Sequence, residues 1–344
     1  MSENIRMNKS VDIVHLKQKR AHHYMLLKSK KNAFEKNKNK YNYTEWKKAI
    51  KQFSLYESIT PLTTHLVNLQ NTCYISSVVQ ALAAVLYNYK NLLKTDDGLL
   101  PKLLLEMPKH NSNTAKLSSS GGIYERFVKH IRYRYAGNEM FDADELLLLL
   151  IDNLPNTSKL FDIQCTITNS SDVGETISEK DSQLRQYQML SNADGTFDNL
   201  DIYLKKHKVR VDHLEKITDE SSPPHTYYNA KQSTKYNVIH NKILIIHIQR
   251  FSFNSQSMQI IKNHEKFDYP FHFSSSWISE KCSHSYTLKA FIEHEGSHPD
   301  TGHYVAFAKY GTQWWKFDDL KLTPVAVENV GSQIPYILIY AADS

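Results

Sequence analysis

The chain has 344 residues, 41% of them hydrophobic, and 42 Lys and Arg against 36 Asp and Glu, for a net charge of +6. Its longest apolar runs, 146–151 and 243–246, fall far short of the ~18 residues that span a bilayer, and the first residues lack the apolar segment of a secretory signal. Three widely separated cysteines without a CxxC pair exclude a disulfide framework and argue against a zinc site. That usage points to a reducing compartment, cytoplasmic or nuclear, or to delivery into a host cell if the chain comes from a pathogen.

The charge is uneven. Residues 1–51 carry 14 Lys and Arg and four acids, leaving 28 basic and 32 acidic residues in the remainder. Residues 1–54 read as a solvated, partly disordered basic segment suited to an anionic surface, nucleic acid or an acidic partner. No interleaving of aromatic and basic residues marks a nucleic-acid motif. Residues 55–344 read as one mildly acidic body.

From 55 to about 158 the patterns are helical. After "NTCYISS" (71–77), Val78, Val79, Ala81, Leu82, Val85, Leu86 and Tyr89 recur every three or four residues, which predicts an amphipathic helix with Cys73 at its N-terminus. Free N–H groups and the helix dipole favour an anion there, so a thiol at that place suits a nucleophile. "GLLPKLLLEM" predicts a short helix after Pro101, and "GGIYERFVKHIRYRY" one with Ile123, Phe127, Ile131 and Tyr135 on a face. "DADELLLLLIDNL" predicts a buried helix capped by Asp142, with Glu145 at the capping-box position.

Beyond about 160 the signal turns to strands. "LFDIQCTIT" and "QLRQYQMLS" read as a pair, and polar 170–185 and 190–199 read as loops. "KILIIHIQRF" reads as a buried strand. "SYTLKAFIEH", "GHYVAFAKY", "QWWKFDD" and "PYILIYAA" read as a closing antiparallel meander. Helices first and strands later argue for an α+β fold. A base for Cys73 then has to come from the strand half. Gly302-His303 precedes one strand, and a tight turn at Gly311 brings Asp318 back beside it. His303 and Asp318 become cross-strand neighbours, the acid orienting the ring and the ring facing the thiol. Asn68, five residues before Cys73, offers amide donors for an oxyanion.

These blocks resemble the ubiquitin-specific proteases, papain-like cysteine deubiquitinases. "LVNLQNTCYISSVVQAL" resembles the Cys box. "EMFDADELLLLLIDNL" resembles the Gln-Gln-Asp-Ala-x-Glu-Phe-Leu block. "ILIIHIQRF" with "KFDYPFHF" resembles the Ile-His-Leu-Lys-Arg-Phe block, and "YTLKAFIEHEGSHPDTGHYVAFAKYGTQWWKFDD" through "PYILIYAA" the His box. The resemblance implies a right hand of helical thumb (about 55–158), β fingers (about 159–241) and antiparallel β palm (about 242–344). It makes Cys73 the nucleophile, His303 the base, Asp318 the orienting acid and Asn68 the oxyanion donor. Asp142 and Glu145 would meet arginines near the ubiquitin tail. His294, Tyr304 and Asp319 join them as candidates lining the substrate channel beside loop 294–301. It implies ubiquitin or ubiquitinated proteins as partners, with no cofactor and no metal.

Some positions depart from the pattern. Gln70 stands where the family has glycine, and Met140 and Phe141 where it has two glutamines. The fingers segment holds only Cys165 in place of paired CxxC ligands, with "PHTYY" at 224–228, so shortened, metal-free fingers are expected. A protease for another ubiquitin-like modifier and a catalytically dead ubiquitin-binding scaffold stay open. Retention of Asp142 and Glu145 favours ubiquitin, whose tail carries paired arginines, and the intact Cys, His and Asp count against a dead site.

Overall fold

Helix α1 runs from Cys73 to Leu86, and 13 of its 14 residues are buried. The computed structural model describes residues 66–107, 121–136, 141–221, 223–254, 258–280, 282–298 and 301–343. The basic segment 1–54, Met140 and residues 299–300 of loop 294–301 lie outside them. Residues 62–309 and 313–344 make one compact unit. Among the described residues no helix is long and apolar enough to cross a membrane.

The spacing of large apolar residues predicts one buried face for α1, yet it is enclosed almost all round. Its polar residues are what make this possible. Ser76 and Ser77 are small, and their hydroxyls donate to the Cys73 and Tyr74 carbonyls, both at 3.1 Å, so neither needs water. Around α1 lie α2 (Leu99–Glu106), α3 (Ile123–Ile131) and α4 (Ala143–Asp152). Helix α2 begins two residues before Pro101, which sits in the first turn where its missing N–H costs nothing. Helix α3 passes into a π-helical turn, Arg132–Ala136. Helix α4 is capped by Asp142, which accepts from the Asp144 and Glu145 amides.

The strands form two main sheets. The smaller is antiparallel and holds β1 (Ile163–Ser170), β2 (Thr176–Leu184), β4 (Val209–Thr218) and β5 (Thr226–Asn237), in the order β2-β1-β5-β4. Most of the stretch read as a 170–185 loop is therefore strand β2, paired with β1 from Ile163–Leu184 onward. Its sequence "TISEKDSQL" is polar on both faces because both are largely exposed, so no apolar alternation marks it.

The larger sheet has β3 (Tyr187–Met189), β6 (Ile243–Ile248), β9 (His272–Ser274), β10 (Ser285–His298), β11 (Thr301–Tyr310), β12 (Gln313–Asp318), β13 (Lys321–Val325) and β14 (Ile337–Ala342). Its path is β13-β12-β11-β10-β14-β6-β3, with β9 on β10. The meander thus holds through β10–β13, but β14 crosses back between β10 and β6. Strand β3 leaves the neighbourhood of β2 to pair in parallel with β6. Between the sheets stands α5 (Leu200–Lys206) in sequence, and a two-stranded ribbon, β7 (Phe251–Asn254) with β8 (Gln259–Lys262), follows β6.

The core joins these layers. Helix α1 packs on α4 and on β10, β12 and β14. In the core of the larger sheet Phe291 and Phe307 stack at 4.4 Å, with Trp314 fully buried beside them. Each large apolar side chain buried this way contributes roughly 1.5–3 kcal/mol. The packing fixes the start of α1 against the ends of β11 and β12. This is the α+β arrangement that the order of the elements predicts.

Candidate active site

Cys73 is the first residue of α1 and only 3% exposed. The Thr72 side chain does not cap the helix. It turns back, accepting from the Leu69 amide at 2.8 Å, while the Thr72 amide donates to Asn68 Oδ1 at 3.1 Å. The N–H groups of the first helical turn have no intrahelical acceptor, so this loop leaves donors and the positive end of the dipole at Cys73.

His303 lies on β11 beside β12, and its Nε2 is 2.8 Å from Asp318 Oδ1. A carboxylate only accepts, so Nε2 donates and Nδ1 is left for the sulfur. The ring's pKa is raised to about 9, first by its hydrogen bond with the Cys73 side chain, against the effect of burial, and then by Asp318.

Asp319 continues the row. It takes a left-handed conformation, φ +49°, which a short polar residue tolerates. Its Oδ2 accepts from Asn68 Nδ2 at 2.9 Å, so one of the two Asn68 amide hydrogens is committed there. Its other oxygen is buried and has no hydrogen bond. His303, Asp318 and Asp319 are the one group among the described residues whose ligand atoms lie close enough for a metal, within 4.8 Å of one another. Within this group His303 is bonded to Asp318, and Asp319 accepts from Asn68.

The remaining candidates gather on the other face of β11. Asp142 is saturated: Oδ1 takes the two cap amides, and Oδ2 accepts from the Tyr304 hydroxyl at 3.0 Å and the Tyr336 hydroxyl at 2.8 Å. Glu145 is exposed at the start of α4. Tyr304 and His294 are buried and face each other across the β10–β11 pairing. The structure thus brings Cys73, Asn68, His303, Asp318 and Asp319 together. It sets Asp142, His294 and Tyr304 behind Gly302, with Glu145 at the surface. Phe141, at a position where the family has glutamine, lies near the Tyr74 ring, 6.3 Å between centroids.

Close approach explains Gly302. A Cβ there would stand 2.3 Å from His294 Nε2 and 2.7 Å from the Glu295 carbonyl. Lys262, at the end of β8, holds His294 in place. Its ammonium donates to the His294 carbonyl at 2.5 Å and to the Gly296 carbonyl at 2.8 Å, and lies 3.1 Å from His294 Nδ1. Burial, with Lys262 next, lowers the His294 pKa to about 4, so the ring is neutral and its proton sits on Nε2. Burial also lowers Lys262, to about 8. Sequence reasoning missed Lys262, Tyr336 and Arg132, since their partners lie 32, 194 and 62–63 residues away and no local pattern announces them.

The profile of the family described as "Ubiquitin carboxyl-terminal hydrolase" matches residues 64–340. The chain belongs to that family. Its activity is that of a cysteine-type deubiquitinase. It is 28% identical over 324 residues to "Probable ubiquitin carboxyl-terminal hydrolase 16" of Schizosaccharomyces pombe, covering 84% of this chain and 69% of that one. It is 33% identical over 115 residues to "Ubiquitin carboxyl-terminal hydrolase 24" of Arabidopsis thaliana, spanning 33% of this chain and 21% of that relative's length. Its fold is similar to that of a SAGA DUB module, Ubp8 with Sgf11, Sus1 and Sgf73, bound to monoubiquitin, at TM-score 0.67 and 15% identity, covering 88% of this chain and 76% of that one. The likeness extends to the same assembly bound to ubiquitin aldehyde, at TM-score 0.62 and 16% identity, with 88% and 77% covered. The hand of thumb, palm and fingers is thus the fold of this chain.

Proposed function

We propose that the chain hydrolyses the peptide or isopeptide bond after the C-terminal glycine of ubiquitin through Cys73, His303 and Asp318. The observation that carries this reading is His303, held by Asp318 at 2.8 Å, beside Cys73 at an uncapped helix N-terminus, with the Cys73 side chain the first cause of the raised ring pKa. The Cys73 thiolate attacks the carbonyl carbon. Asn68 and the free amides at the start of α1 meet the oxyanion. His303 gives its proton to the leaving amine, which departs and leaves a thioester on Cys73. His303 then takes a proton from water, the hydroxide displaces the sulfur, and ubiquitin leaves with its carboxylate.

Asp142 acts from behind, holding Tyr304 and Tyr336, and exposed Glu145 is the acid placed to meet a basic tail. Gly302 and His294 shape a narrow wall suited to small terminal residues. The basic segment 1–51 supplies a contact to an anionic surface, and the three free thiols fit a reducing compartment.

Cys73→Ala tests the reading. Cleavage of a ubiquitin–fluorophore conjugate falls by at least about 10³-fold, with the thermal midpoint unchanged. Full activity in the variant refutes it.

A further inference from the structure

The loop that presents Cys73 is strained. Gln70 and Asn71 are consecutive non-glycine residues at φ +62° and +49°, a region where a Cβ meets the backbone and only glycine sits freely. Such conformations persist only where the surroundings over-determine them. Inside the loop, Thr72 and Asn68 bond to backbone amides on either side of the strained pair. From outside comes Arg132. Its Nη2 donates to the Leu69 carbonyl at 2.6 Å and also to the Gln70 carbonyl.

Those two carbonyls are successive. In extended chain they would point opposite ways. With Gln70 at positive φ both lie within reach of one nitrogen, whose two hydrogens bond to them. Arg132 therefore bonds to the left-handed form of the loop and has no such pair to bond in an extended form. It also opens the π-helical turn after α3, a rare element often found at functional sites.

We propose that Arg132 is the positioning residue of the catalytic loop. Its guanidinium offsets the cost of Gln70 in the left-handed region, and so fixes Asn68 and the α1 N-terminus against His303. Arg132 touches no reacting atom. The proposal rests on the deubiquitinase reading for its kinetics, but it has a readout of its own. A chain with glycine at 70 takes the same turn without strain, so Gln70→Gly removes most of the need for Arg132.

The test compares the full-length chain with Arg132→Met, Gln70→Gly and the double variant. Four quantities are read: kcat and KM on ubiquitin–fluorophore, the rate of Cys73 alkylation by iodoacetamide resolved by mass spectrometry from Cys165 and Cys282, and the thermal midpoint. Arg132→Met lowers kcat about 10- to 100-fold with KM changed less than about threefold. It slows alkylation of Cys73 and not of the other two thiols. Gln70→Gly alone changes kcat less than about threefold, and added to Arg132→Met it restores about tenfold or more. If Arg132→Met unfolds, Arg132→Lys carries the same comparison. Wild-type kcat and alkylation in Arg132→Met overturn the proposal, and so does an equal loss with either residue at 70. If the parent chain leaves ubiquitin–fluorophore intact, the deubiquitinase reading fails instead, and the alkylation rates still decide the role of Arg132.

Discussion

His303 stands between a sulfur and a carboxylate, and its proton is the most pH-sensitive part of the site. Its folded-state pKa of about 9 exceeds the ordinary 6.5. The stabilisation that this shift supplies is full below pH 6.5 and is lost as pH rises through 9. The cationic ring is lost over the same range, so kcat/KM for ubiquitin–fluorophore falls as pH rises through about 9. Asp318→Asn removes one of the groups that raise the ring. It moves that limb to lower pH and lowers kcat on the order of 10²- to 10⁴-fold by loosening the tautomer. An unmoved limb with near-normal kcat would contradict the role of Asp318. At this scale the residues that the structure brings together were legible as candidates, since Cys73 announces itself by its place before a helical pattern and His303 by the glycine before it. Asn68 and Asp318 followed from spacing, and Asp319 from the family resemblance. Arg132 and Tyr336 did not, because an arginine in "KHIRYRY" and a tyrosine before an apolar run look like ordinary surface and core residues.

At the scale of elements, the site depends on how tightly β10 and β11 close. Lys262 pins the end of β10, and the His294 ring fills the space a side chain at 302 would need. Gly302→Ala forces β11 away from β10 one residue before His303, and a displacement of about an ångström costs on the order of 10²-fold in kcat/KM. Activity near that of the parent would contradict this account of the hairpin. The strands of the hairpin were readable because both are apolar and β-branched or aromatic. Strand β2 was not, because "TISEKDSQL" has no buried face to record. Helix α1 was readable as a helix, yet its burial was underestimated, since buried Ser76 and Ser77 satisfy themselves on helix carbonyls and read as polar surface. The return of β14 between β10 and β6 was invisible too, as sequence order alone suggests it continues the meander.

For the whole molecule, charge and catalysis divide along the chain. The 14 basic residues of 1–51 precede a remainder with 28 basic and 32 acidic residues. Retention on a heparin column, falling with added salt, therefore resides in the segment. The full chain is retained and a chain lacking 1–51 is not; retention of the shortened chain would place the anionic contact on the body. The two-sheet hand explains why Cys73 and His303, 230 positions apart in the sequence, meet. One packed helix carries Cys73 onto the ends of two strands that carry His303 and Asp318.

The most direct measurement is reaction with ubiquitin bearing a C-terminal electrophile, with the adduct mapped by mass spectrometry. The account predicts one adduct, on Cys73, abolished in Cys73→Ala and slowed in His303→Ala. No adduct on the folded chain, or one on Cys165 or Cys282, would contradict it.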